Sequence, residues 1–256
     1  MNLSTRSANH PDHRLQTPET FVRAPLPGMR NATAVVHASA AGGAAFVQYT
    51  AEFDRGGTLA ACGDQRFVYV LDGRITVGRT TLDAGGYAYI PPGQAMAVCT
   101  DAPARAVVIE KPYQSLRAVT SPALLTGEER QTAATYLGGD PWLEVRGLIP
   151  DDPAFDFRVN TMTYQPGAAL PAVEIHVMEH GLLMLEGGGI YLLGSQGTRC
   201  RPATSSGWRP IVRSGSVQSE SSRRNTSSTR TGTGILRAGI RDPGFGVRDR
   251  GRDAGG

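Results

Sequence analysis

Two stretches of this chain spell the same hairpin. Phe67-Val68-Tyr69-Val70-Leu71-Asp72-Gly73 corresponds to Leu182-Leu183-Met184-Leu185-Glu186-Gly187, and Ile75-Thr76-Val77 to Ile190-Tyr191-Leu192. Upstream, Glu52 to Leu59 matches Thr163 to Leu170, each an extended run with a glycine before the next strand. In each copy an acid-glycine pair interrupts a run of strand-forming residues, which is a hairpin signal. Two copies of one β unit are therefore expected. Around the first copy, short strands follow at close spacing over Thr33 to His37, Ala45 to Phe53, Phe67 to Leu71, Arg74 to Val77, Tyr87 to Ile90, Met96 to Thr100 and Arg105 to Glu110. Many short strands with glycine-rich turns predict an all-β barrel or sandwich. The one helical candidate is Thr126 to Tyr136, where Thr126 with Glu128 and Glu129 resembles an N-terminal cap.

The chemistry is concentrated in the second copy, over Pro166 to Leu193. Glu174, His176 and His180 share parity, so an extended chain turns all three side chains to one face. A helix would also align the two histidines, but Pro171 would cut its first turn, and Val173, Ile175 and Val177 favour a strand. A carboxylate with two neutral imidazoles suits a divalent transition metal such as Mn, Fe, Ni or Zn, with positions left open for a further donor and a substrate. The competing reading is that His176 and His180 are ordinary strand and turn residues satisfied by neighbours. Glu179 has the opposite parity and is expected to face solvent or to support a ligand from behind. Glu186-Gly187-Gly188-Gly189 is a hairpin turn, not a phosphate loop, since no helix follows it. The matching stretch of the first copy, Cys62-Gly63-Asp64-Gln65-Arg66, has no histidine, so that unit is expected to be structural, with Asp64 and Arg66 as the one alternative pocket. His10, His13 and His37 have no such partners in sequence and are expected to be solvated or structural.

Charge divides the chain. Residues 195–256 carry twelve arginines against Glu220, Asp242, Asp249 and Asp253, a net of +8 in a chain whose total is +3, which leaves residues 1–194 at −5. The tail's arginines lack interleaved aromatics, so a nucleic-acid partner is not expected. Cys62, Cys99 and Cys200 form no metal-type spacing or disulfide framework, and no apolar run approaches a membrane span. A cytoplasmic protein with no membrane partner is expected. The organisation reads as an arm over 1–25 that docks on a partner subunit or stays mobile, a first β unit without a metal site over 26–118, a connector over 119–150, and a partial second unit with the metal site over 151–194.

After Leu193 the hydrophobic alternation stops and Ser, Thr, Arg and Gly dominate, which predicts a disordered tail over 195–256 and an incomplete second unit. A change of reading frame near Gly194 to Thr198 accounts for the break. With permissible codons read one base earlier, Ala203 to Gly215 becomes Gly-Asp-Val-Ile-Trp-Met-Ala-Pro-His-Cys-Pro-Gln-Trp, whose opening matches Gly85 to Pro92 of the first copy. Asn225 to Gly234 likewise becomes Tyr-Leu-Val-Tyr-Lys-Asp-Trp-Asn-Arg.

A duplicated short-strand unit with an inward Glu/His/His set resembles the bicupins, two tandem cupin or jelly-roll barrels. Glu174-Ile175-His176-Val177-Met178-Glu179-His180-Gly181, followed by Leu185-Glu186-Gly187-Gly188-Gly189-Ile190-Tyr191, is similar to the (S)-ureidoglycine aminohydrolase family, as are Tyr87 to Gly93 and Phe155-Asp156-Phe157. The resemblance covers about residues 25 to 193. It implies release of ammonia from (S)-ureidoglycine to give (S)-ureidoglycolate in allantoin and purine catabolism, with Mn2+ as cofactor. It places the metal on Glu174, His176 and His180, substrate contacts on Glu174 and Tyr191, and a proton-shuttling catalytic role on Glu174. It also implies a homo-oligomer acting on a small-molecule substrate. The family's fourth ligand, the Gln of a Cys-Pro-Gln motif, and a Tyr and Lys near the C-terminus occur only in the other frame. The Gln falls on the codons of Arg213 and Ser214, and the Lys on those of Thr229 and Arg230. The chain as spelled is thus expected to bind Mn weakly, to misfold in its second half and to have little activity. A non-catalytic, small-ligand-binding bicupin is the alternative, and an Fe-dependent cupin dioxygenase or isomerase a third.

Overall fold

Apolar alternation, broken by glycine turns, makes this chain almost entirely extended. The computed structural model describes residues 5–170, 174–176, 179–193, 196–208, 212–217 and 233–240, with the backbone alone at 174–176, 196, 207, 208, 212–217 and 233–240. An N-terminal hairpin, β1 (Ala8–Asn9) and β2 (His13–Gln16), precedes the first unit. That unit comprises β3 (Met29–Ala38), β4 (Val47–Leu59), β5 (Gln65–Asp72), β6 (Arg74–Val77), β7 (Thr80–Asp83), β8 (Gly86–Ile90), β9 (Val98–Cys99) and β10 (Ala104–Lys111). The connector holds β11 (Leu125–Glu128) and β12 (Ala134–Tyr136). The second half runs through β13 (Leu143–Gly147), β14 (Phe157–Tyr164), β15 (Glu174–His176), β16 (His180–Met184) and β17 (Gly189–Leu193). It continues as β18 (Gln196–Cys200), β19 (Ser205–Trp208), β20 (Val212–Val217) and β21 (Thr233–Ile240).

The repeat expected from the hairpins holds at the level of sheet order. In the first half the order is β8-β5-β10-β4-β3, with β4 continuing onto β9-β6-β7; in the second it is β19-β16-β21-β14-β13, with β15-β20-β17-β18 beside it. The two five-strand orders correspond strand for strand, while β15 has no separate counterpart beside β9, β6 and β7. Gly73 and Gly187, the equivalent turn residues, both have positive φ, 74° and 71°. At Gly73 an added Cβ would also stand 2.7 Å from the Pro103 carbonyl oxygen, so the turn admits only glycine.

Strands β18 to β21 lie within the stretch over 195–256 expected to be a disordered tail, of which residues 195, 209–211, 218–232 and 241–256 lie outside the described residues. Ladder hydrogen bonds come from the backbone, so a stretch lacking apolar alternation still pairs when β16, β14 and β17 present open edges to it. Thr126–Tyr136 is not a helix: Leu125–Glu128 pairs with β8, and only Glu129–Gln131 makes a single 3₁₀ turn, with the Glu128 carboxylate accepting from the Arg130 amide at 3.1 Å. Gly127 lies flat on the Tyr87 ring, where a Cβ would come within 2.4 Å, and pairing on β8 overrides the weak cap.

Pleating assigns each strand two destinations. On β5, Val68 and Val70 join Ala51 and Val108 in the interior of the first unit, whereas Phe67 and Tyr69 turn the other way and pack with Phe157, Val159 and Leu183 of the second half. On β16, Leu182 and Met184 face a third cluster with Leu15, Met162, Tyr164 and Tyr191. The two halves thus bury sheet against sheet, each large side chain contributing about 1.5–3 kcal/mol. The arm belongs to this body: β2 pairs with β19 of its own chain, Leu15 opposite Ser206 and Gln16 opposite Ser205.

Candidate functional site

The sequence places its metal candidates on the consecutive strands β15 and β16 and its substrate-contact candidate on β17. Glu174 and His176 occupy alternate positions of β15, opposite Ser214 and Val212 of β20. His180 opens β16, between Trp208 of β19 and Gly239 of β21. Tyr191 lies on β17, opposite Ser216 of β20. His180 is 3% exposed, and alternation puts it on the face of Leu182 and Met184, the face whose cluster contains Tyr191, itself 6% exposed. His180 and Tyr191 therefore address the same apolar interior. The side chains of Glu174 and His176 lie outside the described residues, as do Thr229 and Arg230. Among the described side chains no three His, Cys, Asp or Glu groups converge.

Glu179 does face away from that interior. Its carboxylate accepts a hydrogen bond from the Ala45 amide at 2.7 Å, which fastens the turn before β16 to the first unit. Two residues on, Gly181 meets Gln48 so closely that an added Cβ would stand 2.0 Å from its Oε1.

In the first unit the equivalent of His180 is Arg66, because Asp72-Gly73 aligns with Glu186-Gly187. Arg66 is buried beside the Glu110 carboxylate at 2.6 Å and donates to the Ala60 carbonyl at 2.8 Å; Tyr49 donates to the same carboxylate at 3.1 Å. Burial first, and then the Glu110 charge, hold the Tyr49 hydroxyl protonated well above its ordinary range. Burial likewise pushes the Cys62 thiol up, with Arg66 acting against it. An ion pair thus occupies the place that histidine holds in the second half. Asp64 is exposed and does not join Arg66, so the alternative pocket of those two residues is not formed.

The histidines judged isolated in sequence are not isolated in space. His10, His13, His37 and His180 border one cleft of about 50 Å³ beneath the arm. A larger crevice of about 320 Å³ lies along the same seam, lined among others by Phe21, Arg23, Thr50, Tyr69, Leu183 and Glu186. No local signal could have shown either, since each is assembled from segments far apart in the chain.

No family model matches the chain. It is 30% identical to the (S)-ureidoglycine aminohydrolase of Escherichia coli (strain K12) over 193 residues, 72% of this chain and 74% of that protein. The chain belongs to the (S)-ureidoglycine aminohydrolase family. The (S)-ureidoglycine aminohydrolase of Arabidopsis thaliana is 34% identical over 197 residues, and the chain spans just under two thirds, 65%, of its length. In fold, the chain is similar to protein Ylba from E. coli, with a TM-score of 0.79 and 22% identity over 94% of this chain and 96% of that one. A Cupin 2 conserved barrel domain protein from Leptotrichia buccalis matches at a TM-score of 0.56 and 10% identity, over 86% of this chain and 92% of that one. The fold of this ureidoglycine aminohydrolase family member is therefore all-β and cupin-like. Fold likeness extends over nearly the whole chain, sequence likeness over about three quarters.

Proposed function

We propose that this chain is organised as a bicupin for the reaction named in its family, the exchange of the amine of (S)-ureidoglycine for the hydroxyl of water, giving (S)-ureidoglycolate and ammonia in the breakdown of allantoin. The observation that carries the reading is the common interior of His180 and Tyr191, bordered by the strand that bears Glu174 and His176. Glu174, His176 and His180 would hold the metal, and a carboxylate with two imidazoles fits Mn2+ or a neighbouring divalent ion. When bound, that ion supplies Lewis-acid polarisation. The remaining work falls to the chain. The Tyr191 hydroxyl orients the substrate, Glu174 takes a proton from water and delivers it to the departing amine, and Leu15, Leu182, Met184 and Leu193 keep bulk water out.

The same reading includes the altered frame. The codons for the family's glutamine ligand fall on Arg213 and Ser214, and Ser214 is the register partner of Glu174 on β20. A donor at that position would stand beside the carboxylate; the chain as spelled has a serine there. Strand β19 is the counterpart of β8, whose Tyr87, Ala88, Tyr89 and Ile90 are all buried, yet β19 reads Ser205-Ser206-Gly207-Trp208. The hydroxyls of Ser205 and Ser206 are buried without hydrogen-bond partners among the described residues, a cost of about 1–3 kcal/mol each.

Metal analysis with an ammonia-release assay on (S)-ureidoglycine, run on this chain and on a frame-corrected chain, tests the proposal. Weak activity here and strong activity in the corrected chain are expected. Metal retention without ammonia from either chain would favour the non-catalytic, ligand-binding alternative. Family-level turnover by this chain would overturn the altered-frame reading, as would nucleotide sequence showing an intact frame across codons 190 to 205.

A further inference from the structure

The hairpin repeat aligns more than strands. Seven residues before Asp72 stands Gln65, and seven before Glu186 stands Glu179; each directly precedes the ligand position of its copy, Arg66 in one and His180 in the other. Seven residues before Glu52 and Thr163, which begin the other matched run, stand Ala45 and Asp156. These four residues meet crosswise. Gln65 Nε2 of the first unit donates to Asp156 Oδ1 of the second half at 2.6 Å, and the Ala45 amide of the first unit donates to Glu179 Oε2 of the second half at 2.7 Å. The donor is a side chain in one bond and a backbone amide in the other, yet both bonds cross the seam at the same place in the repeat.

The crossing fixes which face of β16 turns inward. Glu179, Gly181 and Leu183 all address the first unit: Glu179 meets Ala45, Gly181 meets Gln48 and Phe46, and Leu183 joins the cluster of Phe46, Phe67 and Tyr69. Gln48 is buried on β4 and held on both sides, opposite Ala38 of β3 and Ile109 of β10, so its strand cannot yield. A Cβ at position 181 would stand 2.0 Å from Gln48 Oε1 and 3.0 Å from the Phe46 ring. A one-residue slip of β16 would drive His180 or Leu182 into that space and turn every side chain of the strand to the other face. In the register held by the crossing, alternation leaves His180 with Leu182 and Met184 on the interior face.

We propose that this crossed clasp aims His180, so that the first unit, with Arg66 at the equivalent place, serves as the platform on which the ligand strand of the second half is held. Glu179 is a positioning residue that acts through the backbone of His180. The consequence for metal affinity rests on the reading of His180 as a ligand.

The test uses the full chain with Glu179→Ala, Glu179→Gln and His180→Ala. Mn2+ binding is followed by the electron paramagnetic resonance of the free aqueous ion, and the His180 ring by NMR of the metal-free, histidine-labelled chain, with His180→Ala giving the assignment. Glu179→Ala should weaken Mn2+ binding by about tenfold or more and shift the His180 ring resonances. Glu179→Gln keeps an oxygen that can accept from the Ala45 amide, so it should restore both readouts towards the parent. Parent-like Mn2+ binding and unmoved ring resonances in a Glu179→Ala chain that keeps its far-ultraviolet dichroism would overturn the proposal. So would equal losses in the Ala and Gln variants, which would assign the effect to the charge of Glu179. Parent-like Mn2+ binding by His180→Ala would instead remove His180 from the ligand set, and the ring resonances of the Glu179 variants would still decide whether the clasp aims that side chain.

Discussion

The Lys111 ammonium lies 2.5 Å from the Asp156 carboxylate, joining the first unit to the second where both side chains are almost wholly excluded from water. The pair is fully served: Gln65 Nε2 donates to the other carboxylate oxygen at 2.6 Å, the Gln114 amide donates at 2.8 Å, and the Tyr89 hydroxyl donates to Gln65 at 2.9 Å. Asp156→Ala would strand a buried ammonium and should cost about 3–5 kcal/mol in urea unfolding. Adding Lys111→Met should restore part of that loss, since no unpaired charge then remains. Equal stability of the parent and the Asp156→Ala variant would contradict the geometry.

Ser205 and Ser206 should be replaceable at a profit in stability. Ser206 lies opposite Leu15 and Leu182, both in the apolar interior. Ser206→Val should remove an orphaned hydroxyl and raise stability by about 1–3 kcal/mol. Differential scanning calorimetry reads the change, and a loss of stability would show that β19 tolerates no larger side chain.

The three thiols should react in the order of their surroundings. Cys99 is exposed, whereas Cys200 on β18 is buried among Leu193 and Tyr191, and burial pushes its thiol up to about 11. Brief alkylation followed by peptide mass mapping should label Cys99 and spare Cys200 until denaturant is added. Rapid labelling of Cys200 in the native protein would mean that β18 is not docked.

His37 should impose a pH dependence on folding. Its imidazole is lowered from about 6.5 to about 3, so below 6.5 the unfolded chain binds a proton that the folded chain refuses. The stability it contributes is whole above pH 6.5 and declines as pH falls from there towards 3, by about 1.4 kcal/mol per pH unit. His37→Asn should flatten that part of the curve by one proton. An unchanged slope would place the titrating group elsewhere.

The metal reading gives a separate expectation. Glu174→Gln and His180→Ala in the frame-corrected chain should each abolish bound metal and ammonia release, while Tyr191→Phe should keep the metal and lose turnover. Retention of stoichiometric metal by His180→Ala would remove it from the ligand set.

The repeat was legible in residues because it is carried by local signals: alternation for strands, and Asp72-Gly73 and Glu186-Gly187 for turns that need a left-handed glycine. The strand character of Glu174–His176 was legible for the same reason. The region after Leu193 was not. Alternation there is lost, and the pairing of β18 to β21 depends on edges that the preceding strands leave open. Arg66 looked like a weak pocket residue until Glu110, distant in sequence, closed on it.

By itself the sequence determined the all-β class and the family, because each rests on residues near one another in the chain. Only the tertiary structure decided that β2 of the arm joins β19, that Ser214 stands opposite Glu174, and that Glu179 reaches the Ala45 amide. Those are matters of long-range register and sheet packing, where backbone hydrogen bonds and buried area act between segments whose separation no local pattern encodes.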